Sequence, residues 1–275
     1  MREIRSPLDG FSSPLGPRRG RAFSPAALFA ASEPGAWYDP SDLTTLFQDT
    51  AGATPVTAAG QSVARVNDKS GRGNNATQAT AASRPTYQVD GSGRGYLAFD
   101  GVDDFLLTPT ITPNIDKVQV FAGVRKLSDN PQGHITGGNG NSIGQFELLS
   151  GGWSVAANRY GAGFFTDILS QIDSPASFAP PRTDVLSWRF DMNGATGPDK
   201  AKLNVNAAAQ SLSIAGVPSA GNFGAFAHYI GSRGGTSLPF NGQLYSLIVR
   251  FGANLDAGTI ASTERFVGGK TGVVL

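Results

Sequence analysis

The sequence predicts an all-β protein, and three observations carry this prediction. Residues that favour turns and strands dominate, with 36 Gly, 17 Pro and, among the 21 acidic residues, 17 Asp and only four Glu. Short apolar stretches recur between Gly, Asn, Asp and Pro turns, which is typical of a sandwich or barrel. Strands do not alternate with helices, so a Rossmann-type fold or a TIM barrel is not expected. The 275 residues suffice for one large β domain with an appendage.

The alternation typical of a strand is clearest over residues 117–125, where the Val, Val, Ala and Val at even positions share one face. The stretch 243–250 is the most apolar and is predicted to be a central strand. We expect residues 146–149 and 153–155 to form a hairpin around a Gly-Gly turn. The other predicted strands are 97–99, 105–107, 185–190, 202–206 and 229–231. Of these, 185–190 and 202–206 are expected to pair.

One helix is predicted near the carboxyl end of the sequence. Asp256 is a suitable N-cap, and Ile260 and Val267 lie seven residues apart on one face. Gly268-Gly269 is predicted to end the helix. Glu264 is expected to make a surface pair with Arg265 or Lys270. A lone helix packed on an antiparallel sheet follows from this pattern.

The amino-terminal residues differ from the rest in charge and composition. Residues 1–21 hold five Arg against two acids, a net charge of +3, and the remaining residues carry −2. Ser-Pro-Leu occurs at 6–8 and again at 13–15. Proline fixes φ and cannot donate to a ladder, and large apolar residues are too few for this stretch to fold alone. Residues 1–35 are therefore predicted to be an extended arm.

Three interpretations of the arm remain open: a disordered tail, a segment that docks into a partner's groove, and a nucleic-acid arm supported only by its arginines. A short helix over 24–32, with Ser24 as N-cap and Pro25 at its first position, is expected to act as a hinge between arm and body. The residues predicted to dock are Ile4, Arg5, Leu8, Phe11, Leu15, Arg18, Arg19 and Phe23.

Composition excludes several classes of function. The charges nearly cancel, 22 basic against 21 acidic residues, so we expect no nucleic-acid partner. The absence of cysteine rules out disulfides, thiolate zinc sites and a cysteine nucleophile, and two histidines are too few for multi-histidine metal chemistry. No stretch approaches the roughly 18 apolar residues of a membrane span. The first residues have no apolar run, so we expect a soluble protein made in the cytoplasm without a secretory signal.

Five stretches together resemble a known family. They look like the concanavalin A-like (laminin-G-like) jelly-roll domains of bacteriophage virion proteins, and the resemblance covers residues 36–275. Val66 departs from the family pattern, which often has Trp there, and this is interpreted as core variation. The stretches are 36–42, 63–78, 96–106, 241–249 and 263–273.

The resemblance implies an antiparallel jelly-roll β-sandwich over 36–275 with an extended N-terminal arm and one C-terminal helix. It also implies a non-enzymatic structural protein of the virion, anchored by residues 1–35, whose lectin-like domain attaches to a host-surface glycan. The Ser-Pro-Leu-Gly repeats resemble the amino termini of tail or head-appendage proteins of phages that infect alphaproteobacteria. Expected partners are other virion proteins (capsid, portal-adjacent or tail) and copies of itself in a homo-oligomer. The alternatives are a decoration or cement protein without a ligand, and a polysaccharide depolymerase.

A cluster of amide, hydroxyl and aromatic residues between 130 and 160 suits sugar recognition, because rings stack on sugar faces and amides bond the hydroxyls. The alternative is a glycine-rich surface loop beside two half-buried aromatic residues. The residues predicted to bind glycan are His134, Asn139, Asn141, Trp153, Asn158, Arg159 and Tyr160.

Asp100, Asp103 and Asp104 form a second candidate, a Ca²⁺ site, since oxygen-rich turns hold this ion. The spacing is not that of an EF-hand, and a β-turn with capping carboxylates is the alternative; no other cofactor is predicted.

The sequence gives little support for an enzyme. Glycoside hydrolysis needs two facing carboxylates, and Glu147 is the only Glu on a predicted body strand.

Overall fold

The computed structural model describes residues 23–129, 133–137, 142–153 and 157–275, in which eighteen strands form two antiparallel sheets. In chain order the strands are β1 (Gly35–Tyr38), β2 (Leu46–Phe47), β3 (Arg65–Val66), β4 (Ala76–Thr77), β5 (Thr86–Val89), β6 (Gly95–Asp100), β7 (Leu106–Leu107), β8 (Lys117–Lys126), β9 (His134–Gly137), β10 (Phe146–Leu149), β11 (Gly161–Phe165), β12 (Leu169–Asp173), β13 (Arg182–Asp191), β14 (Ala201–Val205), β15 (Ala208–Ala209), β16 (Ser213–Ala215), β17 (Tyr229–Ile230) and β18 (Asn241–Phe251). The helices are α1 (Gly197–Lys200), α2 (Ala257–Thr271) and three 3₁₀ helices, Pro25–Phe29, Leu43–Thr45 and Ala81–Ser83.

Sheet 1 has the order β15-β14-β13-β8-β18-β6-β5, with β1 also paired to β18. Sheet 2 has the order β16-β12-β11-β10-β9-β17-β7-β4-β3-β2. Neighbouring strands in both sheets are antiparallel, and many are distant in sequence. The fold is the predicted all-β, antiparallel jelly-roll sandwich. No helix in the described part of the chain is long and apolar enough to cross a membrane.

The main core lies between the sheets. The even positions of β8, from Val118 to Val124, are all buried in it, as the alternation predicted. Trp188 and Phe190 of the neighbouring β13 stack there with ring centroids 5.6 Å apart. The predicted central strand is β18, which pairs with β8 on one side and with β6 on the other. Val66 is fully buried, so a core position is occupied where the family often has Trp.

A second apolar cluster lies on the outer face of sheet 1, beneath α2. The odd-numbered Phe121 of β8 points into it, and Gly123 lets the helix approach: a methyl group there would lie 2.6 Å from Cγ2 of Thr271. The helix begins at the predicted N-cap, Asp256, whose carboxylate accepts the N–H of Thr259 at 2.9 Å. Sheet 1 is therefore packed on both faces in its central strands.

Two predictions about α2 are wrong. The helix does not end at Gly268-Gly269 but continues to Thr271 and ends at Gly272, whose φ of 79° is left-handed. Glu264 is not a surface residue. It is 2% exposed and accepts a hydrogen bond of 2.8 Å from the amide of Asn204 on β14, because it faces sheet 1 and not solvent.

The segment before β1 belongs to the body, so the predicted hinge over 24–32 is wrong. Ser24 caps the helix and Pro25 opens it as expected, but the helix is a short 3₁₀ turn. Its Leu28 and Phe29 are buried in the cluster under α2. The side chain of Arg250 donates to the carbonyl of Leu28 at 2.7 Å, which ties the segment to the central strand.

The packing therefore shows no domain boundary at residue 35, because Leu28 and Phe29 before it already belong to the apolar cluster under α2. Phe23 packs edge-on against Phe266 of α2, with ring centroids 6.4 Å apart, and is a packing residue of the body. The other predicted docking residues, Ile4, Arg5, Leu8, Phe11, Leu15, Arg18 and Arg19, lie outside the described residues.

Candidate functional site

The outer face of sheet 2 carries a row of polar and glycine residues across β10, β11 and β12. Phe146 and Leu148 of β10 face the core, so Glu147 between them faces outward. It lies directly opposite Gly163 of β11, which in turn lies opposite Gln171 of β12. Gly161, two residues away on the same face, lies opposite Asp173. We call Gly161 and Gly163 the glycine floor.

Trp153 lies against the glycine floor. A methyl group at Gly163 would be 2.8 Å from Cζ3 of the indole, and one at Gly161 would be 3.1 Å from the backbone nitrogen of Trp153. That nitrogen donates to Oδ1 of Asp173 at 2.5 Å. The Trp153 residue remains partly exposed. Two glycines and a backbone hydrogen bond therefore hold an accessible aromatic residue over the sheet.

The predicted hairpin of 146–149 with 153–155 is wrong. β10 pairs with β11 instead, and Trp153 follows the Gly151-Gly152 turn outside any strand. At this turn the chain folds back closely over β11, and Gly161 leaves room for it: a methyl group at Gly161 would lie 2.9 Å from the carbonyl oxygen of Gly151. This close approach brings the indole over β11 and not into the ladder.

Asn158 and Arg159, which were also predicted to bind glycan, lie near this surface. Arg159 acts on Asp173: burial raises the pKa of Asp173, while the N–H of Trp153 and the charge of Arg159 partly offset the rise. Arg159 is partly exposed and donates to the carbonyl of Ser174 at 2.6 Å. The backbone N–H of Asn158 donates to Oδ2 of Asp129 at 2.6 Å. Arg159 thus lies close enough to act on Asp173, and Asn158 helps to fix the turn.

Tyr160 does not face solvent, so its prediction as a glycan contact is wrong. Its residue is fully buried in the core between the sheets, with its ring 5.4 Å from that of Phe178. Its hydroxyl donates to Oδ2 of Asp184 at 2.7 Å, and the ammonium of Lys126 lies 4.7 Å from the ring centroid. All sides of this side chain are engaged by the protein, so it is structural.

His134 and Glu147 form a buried polar pair on the same face. Nε2 of His134 lies 3.2 Å from Oε2 of Glu147, and neither residue is more than 3% exposed. The two ring nitrogens and both carboxyl oxygens have no hydrogen-bond partner of acceptable geometry in the described chain. Burial, together with the positive charge of Arg233, lowers the pKa of His134 to about 3. Burial raises the pKa of Glu147, and the charge of Arg233 partly offsets that rise.

A buried polar group without a partner costs about 1–3 kcal/mol. The pair therefore holds unused hydrogen-bonding capacity, with Glu147 on the strand next to Gly163 and His134 one strand further away. His134 is not an exposed contact, contrary to the prediction. Asn139 and Asn141, the remaining predicted glycan residues, lie outside the described residues.

The three aspartates of the predicted Ca²⁺ site do come together, with carboxylate oxygens within 4.8 Å of one another. Each also caps local structure. Asp100 accepts the N–H of Val102 at 2.8 Å, Asp104 accepts the N–H of Asp100 at 3.1 Å, and Asp103 accepts the hydroxyl of Ser83 at 2.8 Å. Burial and the charge of Asp100 raise the pKa of Asp104 to about 6. These contacts support the capped-turn interpretation, and Ca²⁺ binding stays a prediction.

The glycine floor, Gln171 and Asp173 were not predicted as part of a site. The sequence signal was the spacing of two glycines at 161 and 163, because residues two apart in a strand share one face. Isolated glycines also mark places where another group approaches a strand closely. Here that group is an indole.

No protein-family model matches the chain, and no curated protein matches it. Among solved structures, domain 4 of AbnA, a GH43 extracellular arabinanase from Geobacillus stearothermophilus in complex with arabinotriose, is similar with a TM-score of 0.52 and 14% identity, covering 84% of this chain and 98% of that one. The botulinum neurotoxin serotype G binding domain has a TM-score of 0.52 and 12% identity over 73% of this chain.

The binding domain of Paraclostridial Mosquitocidal Protein 1 is similar with a TM-score of 0.51 and 8% identity over 74% of this chain. The matches span about half of the two toxin domains, 48% and 49% of their lengths. At these identities the likeness shows the β-sandwich fold alone.

Proposed function

We propose that this chain binds carbohydrate, with a sugar ring stacked on the indole of Trp153. The observation that carries the proposal is a partly exposed aromatic side chain packed on the glycine floor with polar groups beside it. Aromatic rings stack on the apolar faces of sugars, and precisely placed polar groups fix the orientation of a ligand. Asp173, Gln171 and Arg159 are the groups in place to bond sugar hydroxyls.

The buried pair of His134 and Glu147 lies on the same face of sheet 2, beneath its surface. It is not itself a sugar contact, because both residues are at most 3% exposed. Burial favours the neutral imidazole and disfavours the carboxylate, so this part of the face carries little charge. The known complex of a similarly folded domain with arabinotriose makes this trisaccharide the first probe.

We further propose that the protein is a phage virion component, attached to other virion proteins and to copies of itself through the residues before Phe23, and that the glycan is one of the host surface. This part rests on the arginine-rich Ser-Pro-Leu repeats and on the family resemblance of the sequence. The use of opposite outer faces of the sandwich supports this part of the proposal. The segment at Phe23 packs on α2 over sheet 1, and Trp153 lies on sheet 2.

The test is calorimetric titration of the full chain with arabinotriose, followed by a panel of bacterial surface oligosaccharides. Trp153→Ala is expected to weaken binding by about tenfold or more, the equivalent of about 1.4 kcal/mol, and Trp153→Phe by less. Ile143→Ala, at a residue that is 69% exposed, is the matched surface control. Equal affinity of the Trp153→Ala variant, or no binding of any glycan by the wild type, would overturn the proposal in favour of a decoration protein without a ligand.

A further inference from the structure

Two cations stand side by side on the outer face of sheet 1. Arg189 of β13 lies directly opposite Lys202 of β14. Their neighbours Phe190, Ala201 and Leu203 face the core, so both cationic side chains point outward. Like charges directly opposite each other on neighbouring strands are destabilising. A retained pair of this kind calls for a compensating group.

The described residues supply little negative charge to compensate these two cations. Neither Arg189 nor Lys202 has an ion pair with a described acidic residue. One terminal nitrogen of Arg189 donates to the side-chain oxygen of Asn204 at 2.7 Å, and the Asn204 amide in turn donates to Glu264. Nε of Arg189 is buried and has no partner. Burial lowers the pKa of this guanidinium, opposed by Glu264. The charge of Arg189 is therefore balanced only by Glu264, with Asn204 between them.

The two cations line a cleft of about 350 Å³ at the edge of the sandwich. They are the only charged residues among those that line it, and most of the others are apolar, including Pro198, Leu212 and Ile214. Ile214 belongs to β16 of sheet 2, so the cleft lies where the two sheets meet at an open edge. A volume of this size is at the lower end of the range for small-molecule sites.

A second cleft of about 190 Å³ shares Arg189 and Lys202, but it also includes Asp191 and Asp199. Asp191 lies 3.2 Å from the ammonium of Lys117, and Asp199 accepts the hydroxyl of Thr196 at 2.7 Å. These acids make the smaller cleft unsuitable for an anion. The larger cleft combines unpaired positive charge with an apolar wall.

We propose that the larger cleft is a second binding site, for a small amphiphilic anion. Its carboxylate would lie between Arg189 and Lys202, and its aliphatic part would lie against Leu212 and Ile214. A guanidinium is the side chain best suited to a carboxylate, because its donors form a planar fork. The site lies at the open edge between the sheets, and its Ile214 faces the core side of sheet 2 and not the outer face that carries Trp153. It does not depend on the carbohydrate proposal.

The test uses octanoate as the probe, titrated into the full chain by calorimetry. Octanoate is expected to bind one per chain, and Lys202→Gln to weaken it by about tenfold, or about 1.4 kcal/mol. Lys202 is exposed, so this variant keeps the fold, and Leu212→Asp is expected to weaken binding as well. Arg72→Gln, at another exposed cation, is the matched control and is expected to bind as the wild type does.

Octanol and inorganic sulfate test the cations and the apolar wall of the proposed site separately. Octanol binding as tightly as octanoate would overturn the role of the cations, and sulfate binding as tightly would overturn the role of the apolar wall. Absence of octanoate binding up to millimolar concentrations would overturn the site itself. Trp153→Ala is expected to leave octanoate binding unchanged, so failure of one proposal is distinguishable from failure of the other.

Discussion

Removing residues 1–34 is expected to unfold the body, whereas removing residues 1–22 is not. The difference is the segment that follows residue 22. It contains Leu28, 3% exposed, and Phe29, 2% exposed, both packed beneath α2. It also contains Glu33, whose carboxylate lies 2.9 Å from the guanidinium of Arg250. The longer truncation would leave an apolar cavity and a buried cation that has lost partners.

The magnitude follows from these contacts. Loss of a buried leucine side chain costs about 2–5 kcal/mol and of a buried phenylalanine about 3–5 kcal/mol. Removing Glu33, which is partly exposed, leaves a donor of the buried Arg250 without its partner, at about 1–3 kcal/mol. Together these are roughly 6–13 kcal/mol, and because the residues are close together this is an upper estimate. A typical domain has only about 5–15 kcal/mol of stability in total, so the longer truncation should not fold.

The assay is urea unfolding of both truncated chains followed by circular dichroism. The chain lacking 1–22 is expected to unfold cooperatively, and the chain lacking 1–34 to show no cooperative transition. Glu33→Gln in the full chain isolates the ion-pair contribution without a cavity. Cooperative unfolding of the longer truncation within about 2 kcal/mol of the shorter one would refute the reasoning.

Three further predictions follow. His228 has a folded pKa of about 4, so the unfolded chain takes up a proton below pH 6.5 while the folded chain does not; the wild type should lose about 2 kcal/mol from this residue between pH 7 and pH 5, and denaturant titrations of His228→Phe should show that much less loss. Asp104, with a folded pKa of about 6, is stabilising only when protonated; Asp104→Asn should therefore melt higher than the wild type at pH 8 and lose this advantage at pH 4, and an equal difference at both would contradict the assignment. Gly163→Ala, whose methyl group would lie 2.8 Å from the indole of Trp153, should weaken arabinotriose binding about tenfold in calorimetry, whereas Gly269→Ala, with open space around it, should bind as the wild type does.

Periodicity and capping were enough to predict much of the sandwich. The alternation of β8 shows which residues enter the core, because the two faces of a strand differ in residue type. Asp256 marks the start of α2, because its side chain satisfies a backbone N–H. The end of α2 was missed, because Gly268 and Gly269 have helical backbone there and only the next glycine, Gly272, adopts a left-handed φ.

The candidate site was predicted only in part. Trp153 was identified from its residue type, but strands β11 and β12 were not predicted. Glycines at 161 and 163 weaken the strand pattern of β11. Tyr160 looked like a ligand contact, since its partner Asp184 is 24 positions away and only the folded chain joins them. Long-range pairing of this kind is decided by tertiary packing and leaves no local pattern in sequence.

The anchoring of Arg250 has a mechanical consequence. Its side chain donates to the carbonyl of Leu28, and β1, which follows that segment, pairs with β18 along four residues starting opposite Arg250. A pulling force applied ahead of residue 23 would therefore reach the central strand of sheet 1 through side-chain and ladder bonds together. Several bonds would share the tension, and the sandwich would resist it at its best-supported strand and not at an edge.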